Sequence, residues 1–166
     1  TSVAAIFNPN SAGGKTGRSW KRIQETLQET CGLVTAYETK RPGHAIELTK
    51  EAIDSGHTIL IAVGGDGTVL RIVRATAVLG IPILGINLGR VGFMTEIFAS
   101  EVPEKFPQYI DGSPGIEERT MLDVSLVRTE EQQPFRDEQF TAVSALNEAV
   151  LSRGAGSRPI WVDITV

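Results

Sequence analysis

Residues 64–68 combine the small residues of a phosphate-binding loop with an acidic side chain. They read Gly-Gly-Asp-Gly-Thr and lie between the apolar run 59–63 and a helical pattern that begins at Val69. A buried strand that ends in glycines and opens into a helix brings backbone N–H groups and a positive helix end to one place, and such places bind phosphate. Asp66 would repel a phosphate unless a metal ion bridges the two charges or the carboxylate takes part in the chemistry. The segment therefore predicts phosphoryl transfer on a nucleotide-like substrate.

Two common phosphate-binding motifs are excluded by the spacing of the glycines. A Walker A loop has the form Gly-x-x-x-x-Gly-Lys-Ser/Thr, and around residues 14–16 its first glycine would fall at Pro9. The dinucleotide fingerprint Gly-x-Gly-x-x-Gly, started at Gly65, would need glycine where Leu70 stands. One alternative remains open from these residues alone, namely a tight strand-to-helix turn that needs glycine only for its backbone.

Composition and charge narrow the class of protein. The chain has 166 residues, a formal net charge of -4 and one cysteine, Cys31. No basic stripe could release counterions from a nucleic acid, so we expect no nucleic-acid partner. A single cysteine excludes a disulfide framework and a cysteine-rich metal site. No apolar stretch reaches the roughly 18 residues of a membrane span, and no signal peptide is recognisable, so we expect a cytoplasmic protein with no membrane partner.

The two ends of the sequence predict a piece of a longer protein. The chain has no initiator methionine, and its last residues, 161–166, alternate between apolar and polar with no turn after them. A strand that stopped there would leave hydrogen-bonding groups unpaired at a sheet edge. We expect this piece alone to show little or no phosphoryl transfer.

The first hundred residues alternate short apolar runs with helical patterns. Strands are predicted at 3–7, 34–37, 59–63 and 82–86. Helices are predicted from about Arg18 with Trp20, Ile23 and Leu27 on one face, after Gly43 with Ile46, Thr49 and Ile53 on one face, and over 69–79. The alternation predicts an α/β fold, a Rossmann-like parallel sheet with helices on both faces. The loops 8–17, 64–68 and 87–96 would then meet at the carboxyl edge of the sheet and form one site.

After about Ser100 the pattern changes. Pro103, Pro107 and Gly112 indicate a connector over 100–115 with at most a broken helix. Period-two alternation follows, with one strand carrying Leu122, Val124 and Leu126, a second carrying Phe140, Ala142, Leu146 and Val150, and a third carrying Ile160, Val162, Ile164 and Val166. This alternation predicts the start of an all-β, antiparallel second domain. The expected division is an α/β nucleotide-binding domain over 1–99, the connector, and a truncated β domain over 116–166.

Four stretches together resemble the NAD kinases, a family within the wider superfamily of diacylglycerol and sphingosine kinases. They are Asn-Pro-Asn at 8–10, Gly-Gly-Asp-Gly-Thr at 64–68, Leu-Gly-Ile-Asn-Leu-Gly-Arg-Val-Gly-Phe-Met-Thr-Glu at 84–96, and Ala-Leu-Asn-Glu-Ala-Val-Leu-Ser-Arg-Gly at 145–154. The lipid kinases share the second stretch, whereas its combination with the third and fourth is much more specific to NAD kinases. A later Thr-Pro-Thr-Gly-Ser segment of that family has no counterpart in this sequence.

The resemblance implies transfer of the ATP γ-phosphoryl group to the 2′-hydroxyl of the adenosine ribose of NAD, giving NADP. Asp66 matches the catalytic aspartate of the family and would accept the hydroxyl proton or help to hold magnesium. The residues implied in nucleotide or substrate binding are Gly64, Gly65, Gly67, Thr68, Asn87, Phe93, Asn147, Glu148 and Arg158. Asn147 and Glu148 are adjacent, and adjacent strand residues face opposite sides of a sheet, so their joint use requires a strand end, a twist or a bulge.

The loop after the first strand offers a further phosphate contact through Asn8 and Lys15. Each has an ordinary structural interpretation as well, since Asn-Pro commonly starts a turn and Lys15 could lie at a solvated helix start. The resemblance further implies Mg²⁺ or another divalent metal, ATP or polyphosphate as the phosphoryl donor, NAD and ATP as small-molecule partners, and a homo-oligomer, a dimer or a tetramer.

Two alternative functions remain open at this point. One is a lipid kinase of the diacylglycerol or sphingosine type, because residues 8–14 also resemble the opening loop of diacylglycerol kinases. The other is a dinucleotide-binding module without catalytic activity.

Overall fold

The computed structural model describes residues 2–88, 94–112, 115–125 and 143–150. The chain divides into two compact units, Thr1–Glu118 and Arg119–Val166. None of the helices that the structure describes has both the length and the apolar character needed to cross a lipid bilayer.

The first unit is built around a parallel sheet. Its elements in chain order are β1 (Val3–Phe7), α1 (Ser11–Cys31), β2 (Val34–Glu38), α2 (His44–Asp54), β3 (Ile59–Gly64), α3 (Asp66–Thr76), β4 (Ile83–Asn87), β5 (Ile97–Phe98) and α4 (Val102–Ile110). The strands lie in the order β2-β1-β3-β4-β5, and every neighbouring pair is parallel. The predicted α/β fold with a parallel sheet is therefore confirmed, and β5, two residues long, is an additional strand too short to show a sequence period.

Helices cover both faces of this sheet, as predicted. Helix α1 contacts α4, and α2 contacts α3. Alternate strand residues face opposite sides, and the odd-numbered residues of β1 and β3 share a core with α1 and α4. This core contains Val3, Ala5, Phe7, Ile61, Val63, Ile23, Leu27, Val102 and Phe106. Trp20 stacks on Phe7 at its rim, with ring centroids 4.0 Å apart.

Helix α3 begins and ends earlier than its apolar pattern predicts. Helix α3 begins at Asp66, three residues before the apolar periodicity starts at Val69, because its first turn lies at the sheet edge rather than on the core. It ends at Thr76, short of the predicted residue 79.

On α2, the predicted face of Ile46, Thr49 and Ile53 was wrong except for Thr49. The buried residues of that helix are Ala45, Leu48, Thr49 and Ala52. The small side chains of the two alanines let the helix approach the sheet.

Helix α4 occupies most of the segment 100–115. Pro103 lies in its first turn, where the missing N–H has no helical partner to lose, and Pro107 lies inside it. Val102 and Phe106 are buried against α1 and the sheet. The prolines therefore did not prevent a nine-residue helix, because its apolar face has a core to pack on.

The second unit contains an antiparallel pair, β6 (Leu122–Val124) and β7 (Val143–Ala145). Asp123 lies opposite Ser144, whose hydroxyl donates to its carboxylate at 2.7 Å. The predicted second strand was wrong in its end point, since β7 stops at Ala145 and Leu146 begins a bend. Leu126, Phe140, Ala142 and the predicted strand 160–166 lie outside the described residues.

Candidate functional site

The strand order fixes one point at which neighbouring loops diverge. The chain leaves β1 towards the face that carries α1, and it leaves the adjacent strand β3 towards the face that carries α3. In open parallel sheets, ligands bind in the crevice at the carboxyl ends of such a strand pair. The loop after Phe7 and the loop after Gly64 flank this crevice, and the N–H of Asn8 donates to the carbonyl oxygen of Val63 at 3.3 Å.

Gly64 ends β3 in a position that has no room for a side chain. A Cβ atom there would lie 2.5 Å from the hydroxyl oxygen of Thr68 and 3.3 Å from that of Ser11. Gly65 follows in an extended conformation as the N-cap of α3, and its carbonyl accepts from the N–H of Thr68 at 2.8 Å. Among the described residues no side chain caps this helix start. The positive dipole end of the helix lies at the crevice and favours an anion.

Asp66 is the first residue of α3 and is half-buried. Its Oδ1 accepts a hydrogen bond from the backbone N–H of Met94 at 3.2 Å. A carboxylate in the first turn of a helix is stabilised by the helix dipole. The Asp66 carboxylate therefore lies at the helix end that would attract a phosphate, as the first residue of the helix rather than in a loop before it.

The loop after β1 is shaped by side-chain hydrogen bonds to its own backbone and by unusual backbone angles. The Oδ1 of Asn8 accepts from the N–H of Asn10 at 3.1 Å, and the Asn8 carbonyl accepts from the hydroxyl of Ser11 at 2.8 Å. Ala12, Gly13 and Gly14 then have left-handed backbone angles, with φ of 52°, 65° and 79°. This run separates the first residue of α1 from the regular helix that follows, and two of its three members are glycines because other side chains disfavour such angles.

Two cavities open at this edge of the sheet. The first, here the α2–α3 cavity, has a volume of about 250 Å³ and is lined by Asn8, Asn10, Thr39, Lys40, Arg41, Pro42, Gly43, Ala45, Thr68 and Arg71. The second, here the α1–β5 cavity, has a volume of about 260 Å³ and is lined by Lys15, Arg18, Ser19, Asn87, Leu88, Phe98, Ala99 and Ser100. Four of the predicted residues line these cavities, with Asn8 and Thr68 in the first and Lys15 and Asn87 in the second. Residues 64–67, which include Asp66, are in neither lining.

Asn87 lies closest to the glycine loop in the sheet register. It is the last residue of β4 and is paired directly with Gly64, the last residue of β3. Asn87 is 2 % exposed, and its carbonyl accepts from the N–H of Ala99 at 2.9 Å. Asp66 lies two residues after Gly64, the strand partner of Asn87, and two residues before Thr68, which lines the α2–α3 cavity.

The segment before β5 is locked onto β4 at Gly85. The N–H of Gly85 donates to Oε2 of Glu96 at 2.7 Å, and the N–H of Glu96 donates back to the Gly85 carbonyl at 3.1 Å. A Cβ at Gly85 would lie 2.8 Å from the carbonyl oxygen of Met94. Gly85 thus allows the residues that contact Asp66 to approach the strand.

The adjacent pair Asn147 and Glu148 lies beyond a strand end. Strand β7 stops at Ala145, Asn147 lies in the bend that follows, and both side chains are exposed. Joint use of Asn147 and Glu148 requires a strand end, a twist or a bulge, and the backbone after Ala145 meets this requirement. Phe93 and Arg158 lie outside the described residues.

Three cationic residues of the α2–α3 cavity were not predicted as site residues. Lys40 and Arg41 follow β2, and Arg71 lies on α3. The sequence contained a signal for Lys40 and Arg41, because a basic pair that follows a parallel strand must lie at the carboxyl edge of the sheet. Arg71 reaches the site because it follows Gly67 by one helical turn, and its Nη1 donates to the Gly67 carbonyl at 2.9 Å.

Comparison with known protein families shows the family to which this chain belongs. The family described as the ATP-NAD kinase N-terminal domain matches residues 12–113, more than half of the chain. The chain belongs to the NAD kinase family. The matched region contains the glycine loop, Asp66, the whole lining of the α1–β5 cavity and all of the lining of the α2–α3 cavity except Asn8 and Asn10.

Individual NAD kinases share the same region. The chain is 41% identical over 108 residues to the NAD kinase of Natranaerobius thermophilus, covering 65% of this chain and 35% of that protein. It is 33% identical over 134 residues to that of Trichlorobacter lovleyi, covering 81% and 45%. It is 38% identical over 147 residues to NAD kinase 2 of Synechocystis sp., covering 80% and 46%. The chain thus spans between a third and a half of the length of these relatives.

Among solved structures, the chain is similar to that of a diacylglycerol kinase from Bacillus anthracis str. Sterne. The TM-score is 0.45 with 26% sequence identity, covering 53% of this chain and 30% of that one.

Proposed function

We propose that the protein to which this chain belongs is an NAD kinase, which transfers the γ-phosphoryl group of ATP to the 2′-hydroxyl of the adenosine ribose of NAD. The observation that carries the proposal is the position of Asp66. Asp66 is the first residue of α3, at the carboxyl end of β3 and beside the point where the loops diverge. Membership of the NAD kinase family supports the choice of acceptor and donor.

In the proposed reaction, the 2′-hydroxyl oxygen forms a bond to the γ-phosphorus while the bond from that phosphorus to the β,γ-bridging oxygen breaks. ADP leaves with the bridging oxygen, and the hydroxyl proton passes to Asp66. Phosphoryl transfer depends mainly on positioning and charge neutralisation. The helix dipole of α3 and the N–H groups at its start supply part of that neutralisation.

A divalent metal fits this site as an ion coordinated by both the protein and the substrate. Within the described ranges no group of three or more His, Cys, Asp or Glu side chains could hold a metal. Magnesium commonly needs only one or two carboxylates, and phosphate oxygens and water complete its shell. Asp66 would be the carboxylate of this chain, and the bound ion would neutralise charge on the phosphates. The two roles of Asp66, proton acceptor and metal ligand, are alternatives, and where the carboxylate holds the metal the hydroxyl proton passes to solvent.

We propose that the dinucleotide is bound by Asn147 and Glu148, with Asn87, Phe93 and Arg158 as further contacts. The exposed position of Asn147 and Glu148 beyond β7 supports their availability to a ligand. The glycines 64, 65 and 67 and Thr68 would lie against the donor phosphates.

One side-by-side assay tests the proposal. The intact protein is incubated with Mg²⁺ and γ-labelled ATP, and with NAD or with diacylglycerol in detergent micelles. We expect label transfer to NAD, and an enzymatic assay specific for NADP should identify the product. Transfer to diacylglycerol alone would overturn the proposal in favour of a lipid kinase. Binding of NAD without any transfer would overturn it in favour of a non-catalytic module.

A further inference from the structure

Glu96 bonds the backbone of β4 through its side chain. The N–H of Gly85 donates to Oε2 of Glu96 at 2.7 Å, and the N–H of Glu96 donates to the Gly85 carbonyl at 3.1 Å. In a parallel pair that stays in register, the N–H of such a strand residue bonds a backbone carbonyl of the neighbouring strand. Strand β5 begins only at Ile97, which pairs with Ile86. The carboxylate of Glu96 therefore takes the place of that carbonyl one position before the strand begins.

This bond is of a strong kind for a residue at the surface. Glu96 is exposed, whereas Met94 and Ile97 are 7 % and 1 % exposed. Fixing a long exposed side chain costs conformational entropy, and a charge-assisted hydrogen bond, which is stronger than a neutral one, offsets that cost. Gly85 leaves the space for the bond, since a Cβ there would lie 2.9 Å from Oε2 of Glu96. The side chain of Glu96 is thus held on β4.

The segment that Glu96 holds also contacts Asp66. The N–H of Met94, two residues before Glu96, donates to Oδ1 of Asp66 at 3.2 Å. If residues 94–96 moved away from Gly85, the Met94 N–H would move with them and its bond to Asp66 would lengthen. The bonds therefore connect β4, through Glu96 and Met94, to the carboxylate at the start of α3.

We propose that Glu96 is a positioning residue for phosphoryl transfer. Its carboxylate holds residues 94–96 on β4, and the Met94 N–H then orients the carboxylate of Asp66. This role rests on the proposed function, and Glu96 acts through Asp66 with no need to contact either substrate. Displacing a reacting group by about 1 Å can cost about 100-fold in rate, so a bond that fixes the partner of Asp66 can affect the rate.

Two substitutions separate the reach of the Glu96 side chain from its charge. Glu96→Gln keeps an oxygen at the same reach and removes the charge, whereas Glu96→Asp keeps the charge and is shorter by one methylene group. The control in the intact protein is Glu51→Asp, at an exposed position of α2 that lines neither cavity. We expect Glu96→Asp to lower the kcat for NADP formation at least about tenfold, while the KM values for ATP and NAD change less than about twofold. The kcat of Glu96→Gln should fall less than about threefold, because a neutral bond to Gly85 is retained, and Glu51→Asp should leave kcat unchanged.

Two further measurements test whether Glu96 acts through Asp66. Asp66→Asn lacks the reacting carboxylate, so adding Glu96→Asp to it should lower kcat by no more than about a further twofold. Hydrogen exchange at the Met94 amide reports the link without turnover. We expect this exchange to be at least about fivefold faster in Glu96→Asp than in Glu96→Gln, and equal rates would show that Glu96 does not hold Met94.

Three kinetic results would also overturn the role of Glu96. They are a kcat in Glu96→Asp equal to that of Glu51→Asp, an equal loss of kcat in Glu96→Gln and Glu96→Asp, and a further tenfold loss when Glu96→Asp is added to Asp66→Asn. The second result would assign the effect to the charge of Glu96 rather than to its bond with Gly85. Thermal unfolding of each variant separates a folding defect from a misplaced carboxylate. If the unmodified protein forms no NADP, the proposed function fails, and the exchange at Met94 still measures whether Glu96 holds the segment that bonds Asp66.

Discussion

The backbone N–H of Met94 donates a hydrogen bond to Oδ1 of Asp66 over a distance of 3.2 Å. The bond joins the first residue of α3 to the segment that leads into β5, 28 positions further along the chain. The orientation of the Asp66 carboxylate therefore depends on the packing of that segment against Gly85. Substitution of Asp66 should change catalysis, whereas substitution of Gly85 should change stability. The next two predictions test this difference.

Replacing Asp66 by asparagine should lower the kcat for NADP formation at least about 100-fold, because a general base or a metal ligand is lost. The amide oxygen can still accept from the Met94 N–H, so the fold should be retained. Steady-state kinetics and thermal unfolding of the intact protein measure both effects. Asp54→Asn, at the exposed end of α2, is the control. Retained activity in Asp66→Asn would remove Asp66 from the chemistry.

Replacing Gly85 by alanine should destabilise the first unit by about 1–3 kcal/mol, because the new methyl group would meet backbone atoms. Its Cβ would lie 2.8 Å from the Met94 carbonyl oxygen and 2.9 Å from the Thr95 Cα. Denaturant unfolding measures the change. Gly67→Ala is the matched control, since its nearest neighbour is the movable end of Arg71 at 3.3 Å. Equal stability of the two variants would show that residues 94–96 can shift freely.

Replacing Asn147 by alanine should raise the KM for NAD more than that for ATP, because a polar partner of the dinucleotide is lost. Initial rates at varied concentrations of each substrate measure the two constants. Ser144→Ala removes a nearby hydroxyl that bonds Asp123 within the sheet, and it should change neither constant appreciably. Equal increases for both substrates in Asn147→Ala would indicate a structural role instead.

Glu101 at the start of α4 predicts a small pH dependence of stability. The Lys105 ammonium group donates to its Oε1 at 2.6 Å and the Phe98 N–H donates to its Oε2 at 2.9 Å, and these bonds lower the pKa of Glu101 below its ordinary value of 4.5. A lowered folded-state pKa adds stability above pH 4.5 that is lost as the pH falls through the folded-state value. The difference in unfolding free energy between the unmodified chain and Glu101→Gln should therefore be present at neutral pH and shrink below pH 4.5.

The effect should be small because both side chains contact solvent. Lys105→Met tests its origin, since it removes the largest cause of the lowered pKa. In that background, the pH dependence of the Glu101→Gln difference should weaken. An unchanged dependence would assign the effect to the Phe98 bond alone.

The strands of the first unit could be predicted because parallel strands that are buried on both faces are continuous apolar runs in the sequence. The carboxyl edge of the sheet, where the candidate site lies, follows from these strands. The buried faces of the helices were harder to predict. On α2, Ile46 and Ile53 outweigh Ala45 and Ala52 in hydrophobicity, yet the alanines are buried because the sheet requires close approach. Strand β5 was missed because two residues carry no period.

The glycine loop was recognisable because its residues are contiguous. The α2–α3 cavity was not, because Arg41 and Arg71 come from different elements and meet only through the strand order. The roles of Asn147, Glu148, Phe93 and Arg158 stay predictions, since they rest on the resemblance to a family rather than on any property that a single residue shows.

The left-handed run of Ala12, Gly13 and Gly14 has a consequence for how this loop can change in evolution. A residue added or removed between Pro9 and the regular part of α1, where the helix takes up the change, would rotate the helix by about 100° about its axis. Ile23 and Leu27, both buried, would then turn away from the sheet. Relatives that keep this core should therefore conserve the number of residues in the loop even where they exchange its side chains. Single-residue insertions and deletions here should be far less tolerated than substitutions at the exposed Lys15.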